Sequence, residues 1–423
     1  RGELSRIMIR SVEMNCNDSM LQHGNRSVVR NIATVYLVLF CIQILPLEGF
    51  QVSWLKACTM VLSPIVLLVF SRKISWAMLW GSRSYLWLLF VAMMIHEQYR
   101  ASTLIFSGMF YVTAMMFYNL IHDEAFSLDY FIKVLEAFIK AYVIIFILQK
   151  ITISIGITYL PIINLVYYAP PKLNMLAIEA SHAARILGVC GYAWLKMMEY
   201  KNGQSLSFRQ LFTTYRWEVI CWLGTMIFGG SGTAFIFLLL IALYFMKLEY
   251  VWGVVGIGLI VYFAMPYIDY EPVQRAQATI NAVLTMDPDE VMRADSSAAG
   301  RVLPILNTLN IDLSILESWL GHGVDTAVES GVWSRTNMVG SITDYGLISY
   351  MLSLLFVFTC CIRPFFSLPT LMFFIGIGGG AGNIAYQWGI LMIFMCISYF
   401  YVQQKSNNNS STPLASCEKN LQQ

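Results

Sequence analysis

The run ITDYGLISYMLSLLFVFTCC, residues 342 to 361, carries a single charged residue, Asp344, and similar apolar runs recur along the whole chain. A helix of roughly 20 apolar residues crosses the hydrocarbon core of a bilayer, because every backbone N–H and C=O is then satisfied within the segment. The runs do not alternate as the strands of a membrane β-barrel do. Composition points the same way. Of 423 residues, 57% are hydrophobic and 12% charged, and the mean hydropathy is +0.62, far from the balance of ordinary soluble domains. The expected fold class is all-α: a polytopic bundle of transmembrane helices.

Apolar windows place spans near residues 32–48, 52–70, 84–98, 102–121, 138–158, 184–199, 217–230, 231–247, 251–268, 342–361, 369–382 and 387–403, about twelve in all. Orientation follows from Lys and Arg in the short connections, which concentrate on the cytoplasmic side. Arg26, Arg30, Arg72, Lys73, Arg83, Lys196, Lys201, Arg209, Arg216 and Arg363 all fall on one side. That side as cytoplasm predicts a cytoplasmic N-terminal segment (residues 1–30), a membrane domain (31–403) and a cytoplasmic tail (404–423). Both termini are then inside. Residues 159–184 and 269–341 become outer loops, and the tail KSNNNSSTPLASCEKNLQQ is expected to be disordered.

Several classes are disfavoured. The net charge is +2, and no basic tract suggests a nucleic-acid partner. The nine Cys are scattered, with one adjacent pair at Cys360 and Cys361. Without CxxC or Cys/His spacing, neither a disulfide framework nor a structural metal is expected. No cleaved signal peptide is expected either, since polar residues precede the first span and that helix would direct insertion.

The larger outer loop contains Arg275, Arg293, Arg301 and Arg335 but no Lys. The orientation rule should deplete both residues outside, so Arg is retained selectively. Its planar fork of donors matches phosphate or carboxylate oxygens, which a Lys point charge does not. Pairing with Asp287, Asp289, Glu290 and Glu317 is the structural alternative. VQRAQATINAVLTM (273–286) and ILNTLNIDLSILESWLG (305–321) carry helix-like apolar spacing, suiting short helices laid over the bundle.

Three sets of residues carry candidate chemistry. In IEASHAARILGVCGYAWLKM (178–197), Glu179, His182 and Arg185 are spaced by three, so an early helix start puts them on one face. Glu179 and Ser181 also suit plain helix caps, whereas Arg185 opposes the helix dipole and calls for an anion. ADSSAAGRVLPILN (294–307) supplies Asp295 and Arg301. In WLGHGVDT (319–326), glycines flank His322 and permit a tight turn whose N–H groups face anionic oxygens. His322 has the right intrinsic basicity for a general base, although a single His is often structural. FGGSGTAFI (228–236) and GIGGGAGN (376–383) read as helix-packing segments rather than nucleotide motifs.

The order of these features resembles the O-antigen polymerase and ligase superfamily: Arg185 before one span, GGSGTA between two spans, SSAAGR then LGHG in a large outer loop, and TDYGLISYMLSLLF re-entering the membrane. The resemblance covers roughly residues 160–400, and its last element is Asp344, Gly346, Leu347 and Ile348. It implies an enzyme of the bacterial inner membrane that joins glycans at the periplasmic face, without metal or cofactor. The donor would be an undecaprenyl-pyrophosphate-linked oligosaccharide; the acceptor would be the next lipid-linked repeat unit for a polymerase, or lipid A core for a ligase. The bilayer and a chain-length regulator are the other implied partners.

The family's loop arginines are matched by Arg185 and Arg301. This chain departs from the family at Gly230–Thr233, where a cation is usual, and His322 is a loose counterpart of the ligase His. A leaving pyrophosphate gains charge as the anomeric bond breaks, so fixed guanidinium groups stabilise the transition state. Arg185 and Arg301 lead that assignment, followed by Arg275 and Arg293. Glu179 and His182, then Asp295 and His322, are candidates for the base that takes the acceptor's proton. Direct displacement inverts the anomeric centre. A transporter of lipid-linked sugar is the competing class, and would place ionisable residues through the midplane of several helices.

Overall fold

The computed structural model describes residues 26–43, 53–70, 74–96, 99–157, 173–229, 231–245, 311–323, 342–361, 366–377 and 385–410, with scattered residues between 256 and 293. The regular elements among them are helices. In chain order they are α1 (26–41), α2 (Trp54–Phe70), α3 (Trp76–Met94), α4 (Ala101–His122), α5 (Leu128–Ser154), α6 (Ala180–Asn202), α7 (Phe208–Thr214), α8 (Arg216–Phe228), α9 (Gly232–Phe245), α10 (Leu316–Leu320), α11 (Ile342–Cys361), α12 (Leu368–Ile377) and α13 (Ala385–Ser410).

Four of these, α3, α4, α11 and residues Ala385–Ser406 of α13, are long and apolar enough to cross a membrane, and α2, α9 and α12 are shorter apolar helices. The expectation of about twelve spans is met to that extent among the described residues. α13 and α4 are central, with 89% and 78% of their apolar windows buried, against 33% for α3. The outward faces are apolar too. Leu62, Ile65, Leu68 and Val69 on α2, and Ile144, Ile147 and Ile151 on α5, are exposed. Such faces suit hydrocarbon and would be costly in water.

α13 packs on α4, α6 and α11, while α6 packs on α5, α9 and α13. Phe110 of α4 stacks on Trp388 of α13 at 5.1 Å, and Phe40 of α1 meets Phe110 edge-on at 6.1 Å. Hydroxyl bonds link other helices. Ser63 Oγ and Thr113 Oγ1 lie 2.8 Å apart between α2 and α4, and Tyr142 Oη donates to Cys41 O at 2.7 Å. Within an apolar bundle such bonds hold helices together because no water competes for the groups. Gly188 and Gly191 of α6 lie against the rings of Phe237 and Trp222, where a Cβ would collide.

The bundle has two polar ends. At one, Arg26 pairs with Glu124 at 3.0 Å and Lys201 with Asp129 at 2.7 Å; Lys201 holds the Asp129 carboxyl below its ordinary range. The other end holds the start of α6. Antiparallel α5 and α6 fix the relation: the first turn of α5 meets the last of α6 through Asp129 and Lys201, and their opposite ends meet through Gln149 and Asn174.

Element boundaries differ from expectation most at α3, α5 and the C-terminal tail. α3 begins at Trp76 and α5 at Leu128, well before the apolar windows, because Ser75 and Ser127 cap them by accepting from Met78 N and Tyr130 N. The tail expected to be disordered from residue 404 is helical as far as Ser410, continuing α13. Within residues 269–341, residues 273, 274, 277, 278 and 281 are helical, in keeping with the helix-like spacing there.

Candidate functional site

The chain approaches α6 through residues 173–179, which α5 grips from one side. Buried Gln149 donates from Nε2 to Asn174 Oδ1 at 2.9 Å, and its Oε1 accepts from Met175 N at 2.9 Å. From the end of α1, Gln43 N donates to Leu176 O at 2.6 Å. Met175 has φ of 53°, in the left-handed region that costs a residue with a Cβ roughly 1–2 kcal/mol. Backbone strain of this kind persists where the surroundings over-determine it. The Gln149 bracket supplies that determination.

Glu179 occupies the N-cap position of α6 but makes no side-chain cap bond. Its Oε2 instead accepts from Ser181 Oγ at 3.3 Å and lies 3.9 Å from His182 Nε2, beyond hydrogen-bond range. The side chain of Glu179 is 58% exposed and that of His182 only 12%. The His182 ring stacks on Tyr386 at 4.1 Å. One turn further in, Arg185 is 3% exposed, and its Nη1 donates to Tyr386 Oη. Its guanidinium carbon lies 5.8 Å from the Tyr386 ring centroid, and its Nε has no hydrogen-bond partner among the described residues.

The three side chains spaced by three thus meet at one place, joined by a residue of α13. Among the described residues Arg185 pairs with no acid. A guanidinium is charged at all accessible pH values and expensive to bury without an anion. Next to it, a small cavity is lined by Gln43, Lys56, Cys41, His182, Ile186 and Tyr386, among others, with no carboxylate among the described residues of its wall. Lys56 is 2% exposed, and its Nζ donates to Gln43 Oε1 at 2.7 Å. Just behind Tyr386, Gln387 Nε2 donates to Ile377 O at 3.0 Å, tying α13 to α12.

The Gly-His-Gly turn does something other than expected. His322 N donates to Thr343 O at 2.8 Å and Gly323 N to Asp344 O at 3.1 Å, so these N–H groups are engaged by backbone rather than offered to an anion. Gly321 (φ 84°) packs backbone to backbone against residues 344–346, and Gly346 (φ 78°) against Trp319 and Leu320. A Cβ at either position would overlap main chain. His96 at the end of α3 adds a contact from Nε2 to Leu320 O at 3.1 Å. The His322 side chain is exposed, with Nδ1 3.4 Å from Thr343 O.

Of the remaining predicted site residues, Arg293 is helical and exposed, while Arg275, Asp295 and Arg301 lie outside the described residues. Tyr386, Lys56, Gln43 and Gln149 were not singled out by sequence. Lys56 had a usable signal, being the one charged residue in the apolar run 54–70, where an ionisable group is costly. Tyr386 and the two Gln had none, since their importance comes from helices distant in sequence. No protein-family model, curated protein or solved structure matches this chain.

Proposed function

We propose that the chain is a glycosyltransferase embedded in the bacterial inner membrane, a repeat-unit polymerase that moves a growing glycan from undecaprenyl pyrophosphate onto the next lipid-linked unit at the periplasmic face. The observation that carries this reading is the buried guanidinium of Arg185, which has no acid partner among the described residues and sits one turn from His182 and two from Glu179. An anion entering there would meet a fixed cation in a low-dielectric setting, where charge on a departing pyrophosphate is stabilised most. His182 and Glu179 stand on the same face as candidates for the base that takes the acceptor hydroxyl's proton. Both polar ends and the apolar exterior suit a bundle set across a bilayer. Arg301 is the second cation supplied by the resemblance.

The test is polymerisation by the purified protein in liposomes, given only a lipid-linked repeat unit. The wild type should produce a ladder of products without lipid A core, which separates a polymerase from a ligase. Arg185→Ala should lower the rate by roughly a hundredfold or more, with Arg185→Lys retaining part of the activity. Normal ladders from Arg185→Ala at wild-type folding would overturn the assignment, as would transport of intact donor without bond formation.

A further inference from the structure

We propose that Lys56 is a second cation of the same anion site, held by Gln43 while the site is closed, and that the pair Lys56 and Arg185 recognises a diphosphate from two sides. This rests on the reading of Arg185 as an anion-binding residue and adds a residue from α2, a helix that none of the sequence motifs touches.

Lys56 is buried within the first turn of α2, where a bare ammonium is costly. A carboxylate would be the ordinary remedy. Among the described residues none lines the cavity, and the Lys56 ammonium donates instead to the neutral Oε1 of Gln43. Gln43 is itself 2% exposed, and its Nε2 has no hydrogen-bond partner among the described residues. The same holds for Arg185 Nε. Lys56 and the unused amide donor of Gln43 thus face a space with no carboxylate among its described lining residues, and Arg185, which does not line that space, is joined to its Tyr386 wall.

Tyr386 is the shared wall: it lines the cavity with Lys56 and accepts the bond from Arg185. The closed cavity has room for about one water molecule. A diphosphate enters when the Tyr386 ring yields, which opens the guanidinium to the space that Lys56 already faces. Donors then come from both sides: the fork of Arg185 for two oxygens of one phosphate, the ammonium of Lys56 for the other, and the amide of Gln43 between them. The shared ligand chemistry is a diphosphate, free or lipid-linked.

The experiment uses the full chain in nanodiscs, with inorganic pyrophosphate and a polyprenyl pyrophosphate as separate probes and thermal stabilisation as the readout. Both probes should stabilise the wild type. Lys56→Gln keeps a hydrogen-bonding partner for Gln43 and removes the charge; it should melt near the wild type and bind roughly tenfold or more weakly. Lys56→Arg should recover part of the affinity. Weakening towards both probes supports recognition of the diphosphate itself, and weakening towards the lipid-linked probe alone supports a lipid source.

Wild-type affinity in Lys56→Gln, with affinity lost in Arg185→Ala, would overturn the role of Lys56 while leaving the Arg185 reading in place. Affinity kept in Arg185→Ala would overturn that reading first. If Lys56→Gln does not fold, Lys56→Arg takes its place, and failure of both probes to stabilise the wild type overturns the inference by itself.

Discussion

At the scale of single residues, the approach to α6 depends on Gln149 more than on any residue of the approach itself. It satisfies Asn174 and Met175 together, and Met175 sits in a backbone region that most side chains avoid. Gln149→Leu keeps the volume but removes both bonds, orphaning the Met175 N–H and the Asn174 carbonyl oxygen from this partner. The expected loss is on the order of 2–4 kcal/mol, read as a lower melting temperature with faster amide exchange at residues 173–179. An unchanged melting curve would show that the bracket is dispensable. Arg185 was legible in sequence because an arginine at the start of an apolar helix contradicts two physical tendencies at once. Its acceptor on Tyr386 was not, since the residues are separated by 201 positions and only the packing of α6 on α13 joins them.

At the scale of elements, the docking of α10 on the start of α11 explains two short motifs together. LGHG and TDYG look independent in sequence, yet Gly321 and Gly346 lie against each other's main chain, and the N–H groups of 322 and 323 bond to 343 and 344. Gly346 also breaks the helical run within α11. Gly346→Ala would suffer both the strain of a positive-φ, extended-ψ backbone region essentially confined to glycine, about 1–3 kcal/mol, and a collision with Trp319 that main chain cannot relieve. The variant should release residues 316–323 from α11, seen as protease sensitivity confined to that segment, with α4 and α13 still protected. Uniform protection would refute the close-packing account. The glycines were legible as turn formers, but their pairing was not, because nothing local states which backbone will come near. The helix starts of α3 and α5 were hidden for the opposite reason: hydropathy windows overlook a serine cap, and in α5 the charges of its first turns as well.

At the scale of the whole molecule, the pairs Arg26–Glu124 and Lys201–Asp129 lie at one end of an apolar bundle and the start of α6 at the other, and the positive-inside reading predicts that the first end faces the cytoplasm. Single-cysteine versions in a cysteine-free background would test it. In cells, a membrane-impermeant thiol reagent applied from outside should label His322→Cys and spare Lys201→Cys until the membrane is permeabilised. Equal labelling of both would reject the orientation. Fold class was readable because apolar length and backbone satisfaction leave helices as the answer to long uncharged runs. The count of crossings was less so: among the described residues only four helices combine the length with the low charge that a span needs.

The two glycines of α6 reach beyond packing. Gly188 and Gly191 follow Arg185 along the same helix, and the rings seated on them belong to α9 and α8. Those rings act as keys in two slots, so α6 has one angular setting and one depth. Arg185 inherits both from these packed rings, which leave its backbone little motional freedom. The azimuth of α6 at this end of the molecule is then adjustable from Phe237 or Trp222, and Arg185 turns with it.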